Sequence, residues 1–166
     1  MKHLLILLIS ILLLFSSIFI SCSKSSDDGS KSTDNTTSTE NTTTSTWTKQ
    51  FGTSSHDVGV GVTTDSSGNI YVTGFTRGDL DGNTNSGGRD IFLVKYNSSG
   101  TKQWTKQLGT SEFDEGYGVT TDSSGNIYVT GSTKGGLDGN TNSGTEDIFG
   151  KEDIFLIKYN SSGTKQ

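Results

Sequence analysis

A stretch of twelve residues that occurs twice constrains the fold of this 166-residue chain more than any other feature. The letters TTDSSGNIYVTG fill positions 63–74 and return unchanged at 120–131. The full copies begin at Trp47 and Trp104, 57 residues apart, and the second carries six extra residues around EDIFGKEDIF. Long internal repeats are typical of solenoids, propellers and arrays, in which each unit packs on its neighbour. We therefore assign one repeat to residues 47–103 and the other to 104–166.

Each copy contains four runs with the pattern of β-strands. In the first copy they cover residues 58–65, 69–76, 90–97 and 101–108, and none shows the apolar period of a helix. The DSSGN sequence at 65–69 predicts a tight hairpin, because Gly68 can adopt a positive φ and an Asp or Asn side chain can hydrogen-bond the backbone nearby. The chain is therefore predicted to be all-β.

Three of the strand-like runs indicate that the sheets are stacked. The sequence FLVKY at 92–96 is apolar on both faces of the strand, which suits a sheet packed between two others. The runs VGVGV at 58–62 and EGYGV at 115–119 contain interior glycines, which strands tolerate where another backbone passes close by. Innermost strands crowd together in a ring of radial sheets. Four-stranded β-propeller blades are the predicted architecture.

Three groups of residues carry a resemblance to a known family. They are GVTTDSSGNIYVTG, DGNTNSGGRDIFLVKYNSSGTKQW, and the pair WTKQFGTS and WTKQLGTS. Over residues 47–166 the chain resembles the bacterial β-propeller repeat called SBBP. The resemblance implies a propeller fold in a secreted or lipid-anchored protein, generally with more repeats than two. It implies no established catalytic residue.

The first 46 residues have the pattern of an export and anchoring segment. Residues 1–21 have a short positive start, an apolar middle and small residues before a cysteine, which is typical of a secretion signal. Phe19–Cys22 resembles a bacterial lipobox, so Cys22, the only cysteine, is predicted to carry lipid and anchor the protein in a membrane. Residues 23–46 lack aromatic and aliphatic side chains, so 22–46 is predicted to be a disordered, lipidated linker. The predicted location is the bacterial cell envelope.

One loop resembles a calcium-binding sequence. Asp79, Asp81, Asn83 and Asn85 alternate and the loop ends on Asp90, which is similar to the oxygen-ligand spacing of a calcium loop. The match is incomplete, because Thr84 replaces the expected glycine and Gly136 replaces Asp79 in the second copy. The alternative is an Asx-rich loop whose side chains cap their own turns. Apart from calcium, no cofactor is predicted.

The remaining polar residues favour a protein without catalytic function. His56 is aligned with Phe113 and is interpreted as a solvated loop histidine, with a catalytic or metal role as the alternative. Asp57 and Asp114 recur at equivalent positions, as turn-forming acids do. A net charge of −5 gives no electrostatic footprint for nucleic acid. A binding or adhesion module for an unknown protein or glycan ligand is the first interpretation, ahead of a propeller hydrolase or lyase.

The order of the strands raises the question of how the propeller closes. A lone strand of the fourth type is predicted near Trp47, then four strands from Val58 to Leu108, then three from Glu115 to Asn160, and the chain ends on SSGTKQ. Two blades do not close a ring, since propellers have about four to eight. The sequence therefore predicts either a head-to-tail homo-oligomeric ring of three or four chains, or a truncated piece of a longer parent without independent activity.

Overall fold

The structure, a computed structural model, describes residues 46–145 and 150–166. The predicted signal, Cys22 and all of the predicted linker except its last residue lie outside the described residues. So do residues 146–149, in the region of the six extra residues.

Two antiparallel sheets make up the described fold. Blade 1 contains β1 (Asp57–Thr64), β2 (Ile70–Thr76), β3 (Asp90–Tyr96) and β4 (Lys102–Leu108) in the order β1-β2-β3-β4. Blade 2 contains β5 (Asp114–Thr121), β6 (Ile127–Thr133) and β7 (Asp153–Tyr159) in the order β5-β6-β7. The all-β prediction is confirmed, and the predicted strand limits in blade 1 lie within one residue of the observed ones.

The blades are out of phase with the sequence repeats. The strand containing Trp104, which opens the second repeat, pairs with β3 and completes blade 1. The matching stretch at Trp47, predicted as a strand, is not one in this structure. A strand needs a neighbouring strand for its ladder of hydrogen bonds, and within the described residues this stretch has none.

The hairpin turns follow the predicted chemistry. Asp65 Oδ1 accepts hydrogen bonds from the backbone N–H groups of Ser67 and Asn69, both at 2.9 Å. Gly68 has a φ of 76°, which an L-residue rarely adopts. The turn at Asp122 in the second copy repeats these contacts. Identical local sequence therefore gives identical local structure.

The two sheets stack face to face and bury a shared core. We define the trailing face of blade 1 by Tyr71, Ile91 and Leu93, whose side chains are at most 2% exposed. They pack against the leading face of blade 2, which consists of Ile127, Val129, Leu137, Phe155, Ile157 and Tyr159. Strand β3 is buried on both faces, as its apolar pattern predicted.

The inner strands β1 and β5 come close enough to require glycine. A Cβ atom on Gly61 would lie 3.0 Å from the carbonyl oxygen of Tyr117 and 3.5 Å from Cα of Gly118. Both strands have a β-bulge at this point. The glycines of VGVGV and EGYGV thus allow the blades to approach where the sheets converge.

The opposite side of blade 1 has a core of its own. We define this leading face of blade 1 by Leu80, Phe92, Val94 and Tyr96, with Ile70 and Val72 beside them. The Phe51 ring lies on it, with its centre 5.9 Å from those of Phe92 and Tyr96. The Trp47–Phe51 segment therefore covers part of a face that matches the leading face of blade 2.

Candidate binding surfaces

The predicted calcium loop connects β2 to β3 and is held by its own side chains. Asp79 Oδ1 accepts a hydrogen bond from the Asn85 N–H at 2.7 Å, and the Asn83 side-chain amide donates to the Leu80 carbonyl at 2.7 Å. Asn85 Nδ2 donates to the Thr76 carbonyl at 3.5 Å. These are the turn-capping contacts of the alternative interpretation.

The two remaining acids of this loop point to different partners. Asp81, at a φ of 53°, pairs with Lys102 at 2.5 Å. That hydrogen bond, assisted by one from Thr105, lowers the pKa of the Asp81 carboxyl. Asp90 is fully buried and its Oδ2 accepts from the Ser86 N–H at 2.8 Å, while burial raises its pKa.

All five predicted ligands are therefore engaged in contacts within the protein. Asp81 is directed to β4, whereas Asp79 is directed to Asn85. Among residues 46–145 and 150–166, no group of three or more His, Cys, Asp or Glu side chains is placed to hold a metal ion. The calcium site stays a prediction, and calorimetry tests it.

The second repeat presents the same loop again. The Asn140 side chain donates to the Leu137 carbonyl at 2.8 Å, and that of Asn142 donates to the Thr133 carbonyl at 3.1 Å. Asp138 has a φ of 56° and pairs with Lys165, as Asp81 pairs with Lys102. Two exposed polar loops of one shape thus lie on successive blades.

The acids that the repeats share tie the loop before each first strand to the second strand. Asp114 is fully buried, and its carboxylate accepts hydrogen bonds from the Thr110 N–H at 2.5 Å and from the Thr110 and Thr133 hydroxyls. Asp57 has matching contacts in blade 1. These contacts hold local structure, in line with the turn-forming interpretation.

His56 lies exposed, with its ring centre 5.7 Å from that of Phe75. Its interpretation as a solvated loop histidine stays a prediction. Its counterpart Phe113 has a different setting, because the Arg89 guanidinium lies between Phe113 and Phe75, at 4.9 and 4.7 Å from the ring centres. Cation–π contacts of this kind stabilise the junction between the blades.

Arg89 also pairs with Glu115 of β5. Burial alone would raise the pKa of Glu115, but hydrogen bonds from Arg89 and Tyr117 lower it overall. Sequence reasoning missed this contact between the blades. The only signal was that Arg89 and Glu115 break the repeat, since Glu152 and Val58 stand at the matching positions.

A small cavity lies beneath the Trp47–Phe51 segment. It has a volume of about 220 Å³ and is lined mainly by Phe51, Val72, Leu80 and Phe92. Its apolar walls belong to the leading face of blade 1. A small apolar group fits this space better than a charged one.

An exposed apolar surface lies on blade 2. We define the trailing face of blade 2 by Tyr128, Ile154 and Leu156, the counterparts of Tyr71, Ile91 and Leu93. Ile154 is 88% and Leu156 72% exposed. A shallow cleft of about 250 Å³ runs between Tyr128, Thr130 and Leu156. Exposed apolar patches of this kind mark interaction sites.

Comparison with known proteins agrees with this architecture. Residues 46–81 and residues 103–138 each match the family model described as SBBP, a beta-propeller repeat. Both copies therefore match the same propeller repeat. In the first copy the matched segment covers the Trp47–Phe51 segment, β1, β2 and the start of the polar loop, and in the second copy it covers most of β4, then β5, β6 and the start of the equivalent loop.

One relative is a viral protein. An uncharacterized WD repeat-containing protein of Acanthamoeba polyphaga mimivirus is 30% identical over 108 residues. The alignment covers 52% of this chain and 8% of that protein. The chain therefore corresponds to a small part of this relative, and the similarity concerns repeats.

Within 46–145 and 150–166, the structure contains no helix long and apolar enough to cross a membrane.

Proposed function

We propose that the protein is a non-catalytic binding or adhesion module of the bacterial cell envelope, anchored by lipid on Cys22. The observation that carries the proposal is the tandem display of one polar loop on two stacked blades. The Leu80–Gly82 turn and the Leu137–Gly139 turn have the same backbone and the same amide contacts.

Tandem display favours a ligand that itself repeats, such as a glycan or an array of surface proteins. Two weak contacts linked by a rigid scaffold raise the overall affinity far above that of one contact. Thr84 and Thr141 lie exposed in the two loops and are free of the capping network described above. These side chains, together with the surrounding amides, supply donors and acceptors for a polar ligand.

The roles of the shared acids support a function without catalysis. Asp57 and Asp114 bind threonines in equivalent networks, whereas paired catalytic acids require two unlike environments. The exposed His56 ring lies with its centre 5.7 Å from that of Phe75.

The proposed anchor rests on the sequence before the blades. Cys22 ends a signal-like segment, and the polar stretch of residues 23–46 would hold the blades away from the membrane. Several acyl chains on one residue give stable attachment where a single chain gives only marginal binding.

A binding array tests the proposed function. The processed protein, purified in detergent, is applied to immobilised glycans and envelope proteins, and bound protein is quantified. We expect Thr84→Ala or Thr141→Ala to weaken binding several-fold and the pair to weaken it more than either alone. Ser123→Ala, in an exposed hairpin turn, is the control. Turnover of an arrayed ligand would instead support the hydrolase or lyase.

A further inference from the structure

We propose that a second copy of this chain docks on the trailing face of blade 2 and supplies the fourth strand of that blade from its Trp47–Phe51 segment. This inference is independent of the ligand proposed above. It rests on a contact that the chain already makes within itself, between blade 1 and blade 2.

The first argument is that the two trailing faces have matching residues but different surroundings. Ile91 and Leu93 are 2% and 1% exposed against blade 2, whereas Ile154 and Leu156 are 88% and 72% exposed. The sequences DIFLVKY and DIFLIKY differ at one position. A surface that buries well in one blade is therefore repeated, uncovered, in the next.

The second argument is that the complementary face also occurs twice. The leading face of blade 2 contains Phe155, Ile157 and Tyr159, and that of blade 1 contains Phe92, Val94 and Tyr96 at the same positions. Val62 of blade 1 is 69% exposed, although its counterpart Val119 packs on the core between the blades. One copy thus carries both halves of the interface, at opposite ends of its stack.

The third argument is that Trp47–Phe51 already occupies the place of a fourth strand. Trp47 Cδ2 lies 2.8 Å from the Cβ position of Gly100, and Trp104 Cε2 lies 3.1 Å from that of Gly163, the counterpart of Gly100. The segment therefore sits against blade 1 as β4 sits against blade 2. What it lacks among the described residues is a strand to pair with.

Strand β7 offers that pairing partner. Among the described residues, its outer edge is joined only by the bridge between Tyr159 and Lys165, which matches the pair Tyr96–Lys102 of blade 1. The register of β3 with β4 then predicts the pairs between copies: Ile154 with Phe51, Phe155 with Gln50, Leu156 with Lys49, Ile157 with Thr48 and Lys158 with Trp47.

Polar groups specify this register. In blade 1, the Gln107 side chain accepts from the Leu80 N–H at 3.0 Å and donates to the Gly78 carbonyl at 3.1 Å. Its counterpart Gln50 lies exposed. On docking, Gln50 would make the same two contacts with Leu137 and Gly135 of the neighbouring copy.

The geometry of this contact is heterologous, because a trailing face binds a leading face. Such contacts form a closed ring when the rotation per copy divides the circle. Rings of three or four copies would contain six or eight blades, within the known range for propellers.

Cross-linking between differently tagged full-length copies, co-expressed and oxidised in membranes, tests the pairing. One copy carries Leu156→Cys and the other Lys49→Cys. Opposed residues in antiparallel strands lie about 4.5–5.5 Å apart at Cα, within disulfide range. We expect a disulfide-linked heterodimer, and unsubstituted chains control for Cys22.

Two matched variants make the result decisive. Leu93→Cys with Lys106→Cys, in one chain, places the same pair inside blade 1 and should form an internal disulfide. Gln50→Cys with Leu156→Cys is out of register and should cross-link several-fold less. An internal disulfide without the heterodimer would overturn the proposal, as would equal yields from the two registers.

Light scattering of the detergent-purified protein gives a second readout. Leu156→Asp changes a side chain that is exposed in the single copy, so the fold is retained, and we expect association to weaken at least tenfold. Ser123→Asp adds the same charge at an exposed turn and should leave the mass unchanged. An unsubstituted chain with the mass of one copy would overturn the proposal. A single-copy chain in which Leu156→Asp abolishes ligand binding would assign the face to that ligand instead.

Discussion

Replacing Leu93 with alanine should destabilise the fold far more than replacing Leu156, although the two leucines occupy the same position in their repeats. Leu93 is 1% exposed, and its truncation removes three buried carbons at about 0.8 kcal/mol each, or ~2.4 kcal/mol before the cavity is counted. With the cavity, the expected loss is about 2–5 kcal/mol. Leu156 is 72% exposed, so the same truncation should cost less than about 1 kcal/mol in a single copy.

Urea unfolding followed by tryptophan fluorescence measures both losses. Trp104 is a suitable probe, because its ring centre lies 6.1 Å from that of Tyr71 at the junction of the blades. A dilution series separates folding from assembly, since only a stability that depends on association changes with protein concentration. The Leu93→Ala loss should stay constant, and the Leu156→Ala loss should fall to its small value at the dilute end.

Equal losses for the two variants at all concentrations would refute the reasoning. That result would mean that the trailing face of blade 2 is buried within a single copy. A small loss of stability for Leu93→Ala would also refute the reasoning, because the stacking of the blades would then contribute little to the free energy of unfolding.

Four further outcomes are expected. Gly116→Ala should destabilise the fold by about 1–3 kcal/mol in urea unfolding through overpacking, because its Cβ atom would lie 2.6 Å from the Thr73 hydroxyl oxygen. Gly59→Ala should be near neutral in the same measurement, because its Cβ atom would lie 3.9 Å from the Val72 side chain. The Asn126 side chain and other hydrogen bonds lower the pKa of Asp122 to about 2 from 3.8. The stabilisation is therefore complete above pH 3.8 and lost as pH falls through about 2, and an NMR titration of Asp122 near its ordinary pKa would contradict this. Cys22→Ala should move the protein from the membrane fraction to the soluble one on immunoblots, and unchanged retention of a processed chain would count against lipidation. If the polar loop binds calcium, calorimetry should detect heat that Asp79→Ala reduces, and no heat at millimolar calcium would end that interpretation.

Much of the local structure follows from short-range chemistry. Asp65 and Gly68 specify the first hairpin turn, because the carboxylate bonds N–H groups within four residues and glycine tolerates the positive φ. The apolar pattern of residues 92–96 likewise predicted a strand buried on both faces. Each signal lies within a few residues of the structure that it specifies, and so it can be recognised in one copy of the repeat.

The candidate surfaces could be predicted less completely from short-range sequence patterns. The spacing of Asp79, Asp81 and Asp90 suggested one calcium site, which stays a prediction, and spacing alone carries no information on the direction of each side chain. Lys102, 21 residues further along the chain, attracts Asp81 to β4. The Arg89–Glu115 contact spans 26 residues and two blades, and neither residue recurs in the other copy.

The sequence by itself determined the repeat, the strands and the turns, because backbone preferences and nearby hydrogen bonds act over a few residues. Tertiary structure decided which of the two repeats has its trailing face buried, and where each blade begins along the sequence. Ile91 and Ile154 lie in nearly identical strands, yet one is 2% and the other 88% exposed, because within the part of the chain that the structure describes a second sheet packs against Ile91 and none packs against Ile154. Likewise Trp104 lies in a strand and Trp47 does not, since a β-ladder forms only where another strand presents its free edge.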